Sequence, residues 1–398
     1  MSIDHAMAPY SFMKEKGVRI IPYSRARPKT SIMAATTKDP WDVTIIDEAH
    51  YLKNPDAQRT RAVYGLQHDL LDTPCAESER VWCLTGTPLL NHPAEFWTHL
   101  RALKPDTIMI GPRTFTYDQF VDRFCVTKKT PYGFRILGGK NSSELAQRVR
   151  PFIDRKKIND VLADMPALRI VDHVLPADTK IDSTLRKALD EATEQMGLEG
   201  LDDEQLLASV QAGGVAFSTV RRLIGRAKVP GVSAMVADML DDAEDDKVIL
   251  FAHHREVISE LTENLKAYRP LVIVGATPLK VREQYIASFQ TDPARRLIIL
   301  SLDAASEVIT LHASHNVVLA EPSPVPDRNK QAIARAHRKG QKHPVLARFV
   351  LLPGTLDARL MSIVARKTRD IARVVDGEII DEPDEPKRDF GLAFPDTI

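Results

Sequence analysis

An α/β fold with parallel β-structure is the class this sequence predicts, and three patterns predict it. From Val248 onward, short apolar runs alternate with helical stretches of ten or more residues, as strands joined by right-handed crossovers do. Val43 to Ile46 is an unbroken β-branched run, the pattern of a central parallel strand covered on both faces. That run ends abruptly in Asp47 and Glu48, and in open parallel sheets ligands sit at the carboxyl ends of strands. One carboxylate there can hold a Mg²⁺ that bridges phosphates, while its neighbour orients or deprotonates an attacking water.

Taken in order, the chain begins with one apolar piece, Val18 to Ile21, closed by Pro22. The Val43 strand follows, then helical spacing over Arg59 to Leu71, a strand Val81 to Leu84 and a Thr85-Gly86-Thr87-Pro88 turn. Residues 92–165 read as mostly helical with basic punctuation, including Arg155-Lys156-Lys157. Residues 166–246 read as helical again, with a Gly213-Gly214 break, a basic cluster of Arg221, Arg222, Arg226 and Lys228, and an acidic run from Asp241 to Asp246. Strands are then expected at Val248 to Phe251, Leu271 to Val274, Leu297 to Leu300, Val317 to Ala320 and Val345 to Leu352. The helices between and after them end near Ala267, Gln290, Lys339 and Lys367, and the tail after Asp376 reads as acidic, proline-rich and mobile.

Composition narrows the possible functions. Lys and Arg number 54 against 54 Asp and Glu, so no global field draws the chain to nucleic acid and any such contact must come from local patches. The content, 43% hydrophobic and 27% charged, is that of a soluble globular protein. No apolar run has the length of a membrane span and no signal-peptide pattern opens the chain, so the expectation is a cytoplasmic protein, nucleoid-associated in a bacterial or phage setting. Cys75, Cys83 and Cys125 lack metal-ligand spacing and read as reduced thiols.

A family resemblance rests on specific stretches. DEAH (Asp47 to His50) with Lys53-Asn54, LTGTPLLN (Leu84 to Asn91) and QAIARAHRKGQ (Gln331 to Gln341) resemble motifs II, III and VI of Swi/Snf-type ATPases in helicase superfamily two, in that order. FAHHREV (Phe251 to Val257) and Gly275-x-Thr277 resemble the annealing-helicase branch, whose members remodel DNA forks. The resemblance spans Val18 to Lys367 and implies two RecA-like lobes, the first N-terminally truncated, with helical insertions between them. Lobe one would occupy residues 1–110, a helical protrusion and linker 111–245, lobe two 246–372 and the acidic tail 373–398. It further implies ATP and Mg²⁺ as cofactors and double-stranded or forked DNA as partner. Asp47 would bind the metal and Glu48 direct the water; His50, Thr85, Gly86 and Gln331 would meet the nucleotide. Arg335 and Arg338, three apart on an expected helix, would donate to phosphate oxygens as the charge develops. Arg155, Lys156, Lys157, Arg221 and Arg222 are the candidate DNA contacts.

The chain also departs from the family pattern. Val308 stands where the family has glycine, Pro324 where it has tryptophan, and Ile333-Ala334 where it has an acidic pair. No GxxxxGK[ST] phosphate loop occurs in the 398 residues: Leu137-Gly138-Gly139-Lys140-Asn141 lacks the first glycine and the hydroxyl, and reads as a turn. Two readings are open, a partial or split ATPase motor whose phosphate loop is supplied elsewhere, by a second polypeptide or by residues upstream of Met1, and a degenerate module that binds DNA or a protein without turnover.

Overall fold

The computed structural model describes residues 18–28, 33, 40–65, 73–86, 92–130, 133–154, 156, 161–162, 164–176, 181–195, 206, 215–243, 246–304, 309–357, 359–362 and 364–365. They fall into two compact units that divide between Ile153 and Asp154. The Gly213-Gly214 break, Val308 and the acidic tail lie outside the described residues.

In the first unit β1 (Trp41–Ile46) pairs in parallel with β2 (Ser78–Cys83), Ile46 opposite Cys83. The sequence predicts β1 to be covered on both faces. Among the described residues it pairs with β2 alone, and Ile45 is 57% and Trp82 53% exposed, so the apolar run serves one covered face. Beneath that face lie α1 (Gln58–Tyr64), α2 (Phe96–Leu103), α3 (Tyr117–Phe124) and α4 (Ser142–Val149). Ile46, Leu52, Tyr64, Phe96, Trp97, Leu100, Phe120, Phe124 and Leu145 form an aromatic-rich core. The Trp97 indole N–H is satisfied by the Phe115 carbonyl at 3.0 Å. Thr116 and Gln119 exchange hydrogen bonds in a capping box that fixes where α3 starts.

The stretch 92–165 is less helical than its sequence suggests. It holds two antiparallel hairpins, β3 (Met109–Ile110) with β4 (Arg113–Thr114), and β5 (Cys125–Thr130) with β6 (Gly133–Gly139). Gly139 belongs in β6 because a Cβ there would lie 2.9 Å from the Pro93 ring.

The second unit is a six-stranded sheet ordered β7-β12-β11-β8-β10-β9, parallel at every pairing. Its strands are β7 (Leu168–Val174), β8 (Val248–Ala252), β9 (Leu271–Ile273), β10 (Leu297–Ser301), β11 (Asn316–Leu319) and β12 (Val345–Leu351). Every residue of β8 and the apolar residues of β10 and β11 are at 0% exposure, as continuous apolar runs require when both faces are covered. Val248, Leu250 and Ala252 enter one core with the helices α5 (Ser183–Gln195), α6 (Val215–Asp242) and α7 (Arg255–Asn264). Ile249 and Phe251 enter the opposite core with α8 (Leu279–Thr291) and α9 (Pro326–Ile333). Each such side chain contributes ~1.5–3 kcal/mol on burial.

Strand β7 lies inside the stretch read as helical. Its Leu168 and Ile170 are exposed at the sheet edge, so it shows little of the apolar run that marks the central strands. No helix among the described residues is long and apolar enough to cross a membrane.

Candidate functional site

In the first unit the candidate residues gather at the turn that leaves β1. Leu84 N–H donates to the Ile46 carbonyl at 2.8 Å and Ala49 N–H to the Leu84 carbonyl at 3.0 Å, so the turns after β1 and β2 are stitched together. Between these bonds Glu48 adopts φ 48° and ψ 50°, a left-handed conformation that costs a side-chain-bearing residue ~1–3 kcal/mol. Its N–H donates to Asp47 Oδ1 at 2.9 Å, and both carboxylates are exposed. His50, 6% exposed, places Nδ1 3.2 Å from Glu48 Oε2 and 3.2 Å from Thr85 Oγ1. One imidazole therefore couples the acid to the second turn.

The surroundings hold this turn rigid. The Tyr23 hydroxyl donates to the Asp47 carbonyl at 2.7 Å. Burial, with Cys83, Asp47 and Glu48 nearby, pushes that phenol well above its usual range, so it remains a donor. Lys53 pairs with the buried Glu95 carboxylate at 2.7 Å, and Arg59 Nε donates to the Tyr51 carbonyl at 2.7 Å. Gly86 has open space where a side chain would be, and Thr87 to Asn91 lie outside the described residues.

Mg²⁺ needs one or two carboxylates and keeps several waters, which the exposed, adjacent Asp47 and Glu48 suit. Among the described residues no group of three or more His, Cys, Asp or Glu is arranged to hold a metal alone.

In the second unit the expected helix Asp327 to Lys339 stops at Ile333, a correction that matters for the two arginines. Arg335 and Arg338 lie in the turns that follow, and their three-residue spacing no longer places them on one helical face. The cause is local. The Arg335 carbonyl accepts from Leu311 N–H at 2.8 Å, while Gln341 Nε2 donates to the carbonyls of Ala336, Ser314 and His312 at 2.9–3.2 Å. With the Arg335 and Ala336 carbonyls engaged by Leu311 and Gln341, the helical ladder cannot continue past them. Gly340 closes the turn at φ 102°, where an L side chain would be strained. Arg338 donates to the Ile309 carbonyl at 3.0 Å and the Arg335 backbone is bonded to Leu311, which ties both residues to the segment 309–314; the Arg335 side chain is half-buried. Gln331 donates to Asp327 at 2.8 Å within α9, and buried His337 has Nε2 2.8 Å from the Pro166 carbonyl.

The second basic cluster faces inward or is paired. Lys228, 1% exposed, donates to the Val350 carbonyl at 3.0 Å and pairs with Asp357 at 2.9 Å. Arg221 donates to the Pro322 carbonyl, and Arg222 and Arg226 pair with Glu256 and Glu260 of α7 at 2.7 and 2.6 Å. These cations clamp α6 to the sheet and to α7, which leaves Arg221 and Arg222 poorly disposed toward DNA. Lys156 is exposed and pairs with Asp154 at 2.9 Å; Arg155 and Lys157 lie outside the described residues.

One organising residue escapes sequence reasoning. Glu321, 3% exposed, follows β11 and accepts the N–H groups of His253 at 2.8 Å and His254 at 2.9 Å, with His254 Nδ1 at 2.6 Å. Burial alone would raise its carboxyl, but His254 and the two backbone donors outweigh it and hold it below its usual range. It thereby ties the carboxyl ends of β8 and β11 together. The available signal is an acid placed directly after the apolar run Val317 to Ala320.

Comparison with known proteins agrees with these stretches. The SNF2-related domain family matches residues 4–181 and the helicase conserved C-terminal domain family matches residues 231–340. The DNA annealing helicase and endonuclease ZRANB3 of Bos taurus is 29% identical over 377 residues, covering 90% of this chain and 32% of that protein. The SWI/SNF-related matrix-associated actin-dependent regulator of chromatin subfamily A-like protein 1 homolog of Caenorhabditis elegans is 30% identical over 344 residues, covering 85% of this chain and 46% of that protein. The chain thus spans 32% and 46% of the length of these two relatives. The Sulfolobus solfataricus SWI2/SNF2 ATPase core domain is 20% identical, with 90% of this chain and 70% of that one covered at a TM-score of 0.40.

Proposed function

Because the chain belongs to the SNF2-related family, we infer that it is the part of a DNA-dependent ATPase and translocase that carries the metal-binding acids and the charge-stabilising arginines. The observation that carries this reading is the strained turn at Glu48. A left-handed glutamate persists only where its surroundings impose it, and such strain gathers at functional sites. Here the imposed conformation aims Glu48 at His50 and leaves Asp47 exposed beside it.

Asp47 would hold Mg²⁺, which when bound with ATP offsets charge on the β- and γ-phosphates. Glu48 orients and deprotonates the attacking water, with His50 fixing its carboxylate and Thr85 reporting the state of the neighbouring turn. Arg335 and Arg338 offset charge that develops on the phosphoryl group, and Gln331 and Gly86 contact the nucleotide. The partner is duplex or forked DNA.

A second reading, a binding module without turnover, is favoured by one observation: the 398 residues contain no GxxxxGK[ST] to cradle the phosphates. Positioning is most of the catalysis in phosphoryl transfer, so the chain by itself should turn over ATP weakly or not at all. A steady-state ATPase assay with duplex and forked DNA decides. The motor reading expects turnover to appear when a polypeptide bearing a phosphate loop and its strand is added, and to vanish in Glu48→Gln and Arg338→Ala. No turnover under any supplementation would leave the binding module. Robust turnover by the chain alone that both substitutions abolish would overturn the need for an added loop and keep the site.

A further inference from the structure

We propose that the β5–β6 hairpin is a DNA-contacting ribbon that grips phosphate with Lys128, Lys129 and Lys140 and stacks Phe134 on an unpaired base at a fork or junction. The proposal rests on the reading of the chain as part of a DNA translocase.

Charge is the first argument. From Arg123 to Ser143 the chain carries Arg123, Lys128, Lys129, Arg135 and Lys140 and not one Asp or Glu, in a protein whose charges cancel overall at 54 against 54. Arg123 is taken up by Glu144 at 2.8 Å, but Lys128, Lys129 and Lys140 are exposed and have no carboxylate partner among the described residues. This contrasts with the cluster on α6, where Arg222, Arg226 and Lys228 each hold an acid.

Geometry is the second. The base of the hairpin is anchored: Cys125 is fully buried with Ala94 and Val121, and Ile136 packs against them. Lys140 N–H donates to the Phe124 carbonyl at 2.9 Å and the Asn141 side chain to the Arg123 carbonyl at 2.8 Å. Away from that base the ribbon is solvent-facing, and Phe134 is 74% exposed, more than any other large apolar side chain described. In the register Phe134 stands opposite Lys129, and Arg135 opposite Lys128. Directly opposed residues share a face, so the Phe134 ring and the Lys129 ammonium stand side by side, while Lys128, one residue along the strand, offers its charge from the ribbon's other face. That pairing is how strand-tracking surfaces hold nucleic acid without reading sequence. A polyanion offering an exposed base satisfies both halves of the pair, which duplex alone does not.

The test is fluorescence anisotropy of the full chain on a fork with unpaired bases at its junction and on a blunt duplex, over a range of salt. Lys128→Ala with Lys129→Ala should weaken both DNAs and lower the slope of log affinity against log salt by about two, one per lost phosphate contact. Phe134→Ala should weaken the fork roughly tenfold, with duplex binding and salt slope unchanged, and Phe134→Trp should restore it. These side chains are exposed, so the variants should melt with the parent. Equal binding of parent and variants on both DNAs would overturn the proposal and point instead to an acidic protein surface. Equal weakening of fork and duplex by Phe134→Ala would overturn the stacking role. A parent chain that binds no DNA at any salt would remove the translocase reading as well as the hairpin's role.

Discussion

The two units place chemistry at the ends of parallel strands in opposite ways. In the second, β8 has all five residues at 0% exposure, and Glu321 is fixed on a sheet buried from both sides. In the first, β1 exposes Ile45 at 57%, and the Asp47–Glu48 turn is held by hydrogen bonds to Tyr23, Thr85 and the Leu84 backbone. The strands that carry Glu321 are set by hydrophobic burial, whereas the Asp47–Glu48 turn is set by a polar network. The difference teaches that a strained turn on a half-covered sheet needs directional bonds to several neighbours around it, whereas an acid on a doubly covered sheet inherits its place from the strands and adds its own bonds to them.

The largest effect expected from this contrast is at the buried Lys228–Asp357 pair. Lys228→Met should strand Asp357 and cost the second unit about 3–5 kcal/mol. Hydrogen exchange of β8, β10 and β11 reads this directly, and β8 amides as protected as in the parent would break the comparison.

The next effect belongs to the first unit and depends on pH. His99 accepts or donates at Nδ1 with the Tyr64 hydroxyl at 2.8 Å, and burial lowers its pKa to about 4, with Glu95 and His50 adjusting it in opposite directions. Its folded pKa lies below the unfolded value near 6.5, so below about 6.5 the unfolded chain takes up a proton the fold refuses. Stability should therefore fall as pH drops from about 6.5 to 4, by roughly 2–3 kcal/mol, and level off below that. Trp41, Trp82 and Trp97 all belong to this unit, so urea unfolding followed by tryptophan emission isolates it. His99→Gln should flatten the slope. In the second unit the depressed Glu321 carboxyl has the complementary window: its contribution is present above about pH 4.5 and lost as pH falls through the lower folded value.

Gly225→Ala comes third. Alanine normally strengthens a helix by up to ~1 kcal/mol over glycine, but here its Cβ would collide with the Glu321 carboxylate, which three hydrogen bonds prevent from giving way. A net loss of about 1–3 kcal/mol is expected in thermal unfolding; a gain would show that Glu321 is less firmly held than its bonds imply. Smallest is Arg222→Ala or Arg226→Ala, each removing a half-exposed pair with α7. The cost should stay under about 1 kcal/mol, and DNA binding should not change.

What could be read from the residues follows the same divide. The central strands of the second unit are legible to within one or two residues, because a strand buried on both faces must be an apolar run. Asp47, Glu48, His50 and Thr85 are legible because their chemistry is concentrated in two short turns that the structure brings together. Strand β7 is not, since its place depends on β12, far along the chain, and its exposed edge hides the apolar signal. The end of α9 depends on Leu311 and Gln341 taking carbonyls away from the helix, which no local pattern announces. The α6 cations look like a DNA patch in sequence, yet the side chains turn toward Asp357, Glu256 and Glu260.

The pairing of β7 with β12 also has a consequence for how the chain is made. Leu168 meets Val345, so 177 residues (345 − 168) must be synthesised before the partner strand begins to emerge. At ~5–20 residues per second that is about 10–35 s, far longer than the microseconds in which a hairpin such as β5–β6 can close. During that interval the nascent β7 offers Ile170 and a full row of unpaired backbone groups to any other strand in reach. Arg169 and Asp172, placed within the strand, put charge along that waiting edge and disfavour mispairing on the ribosome.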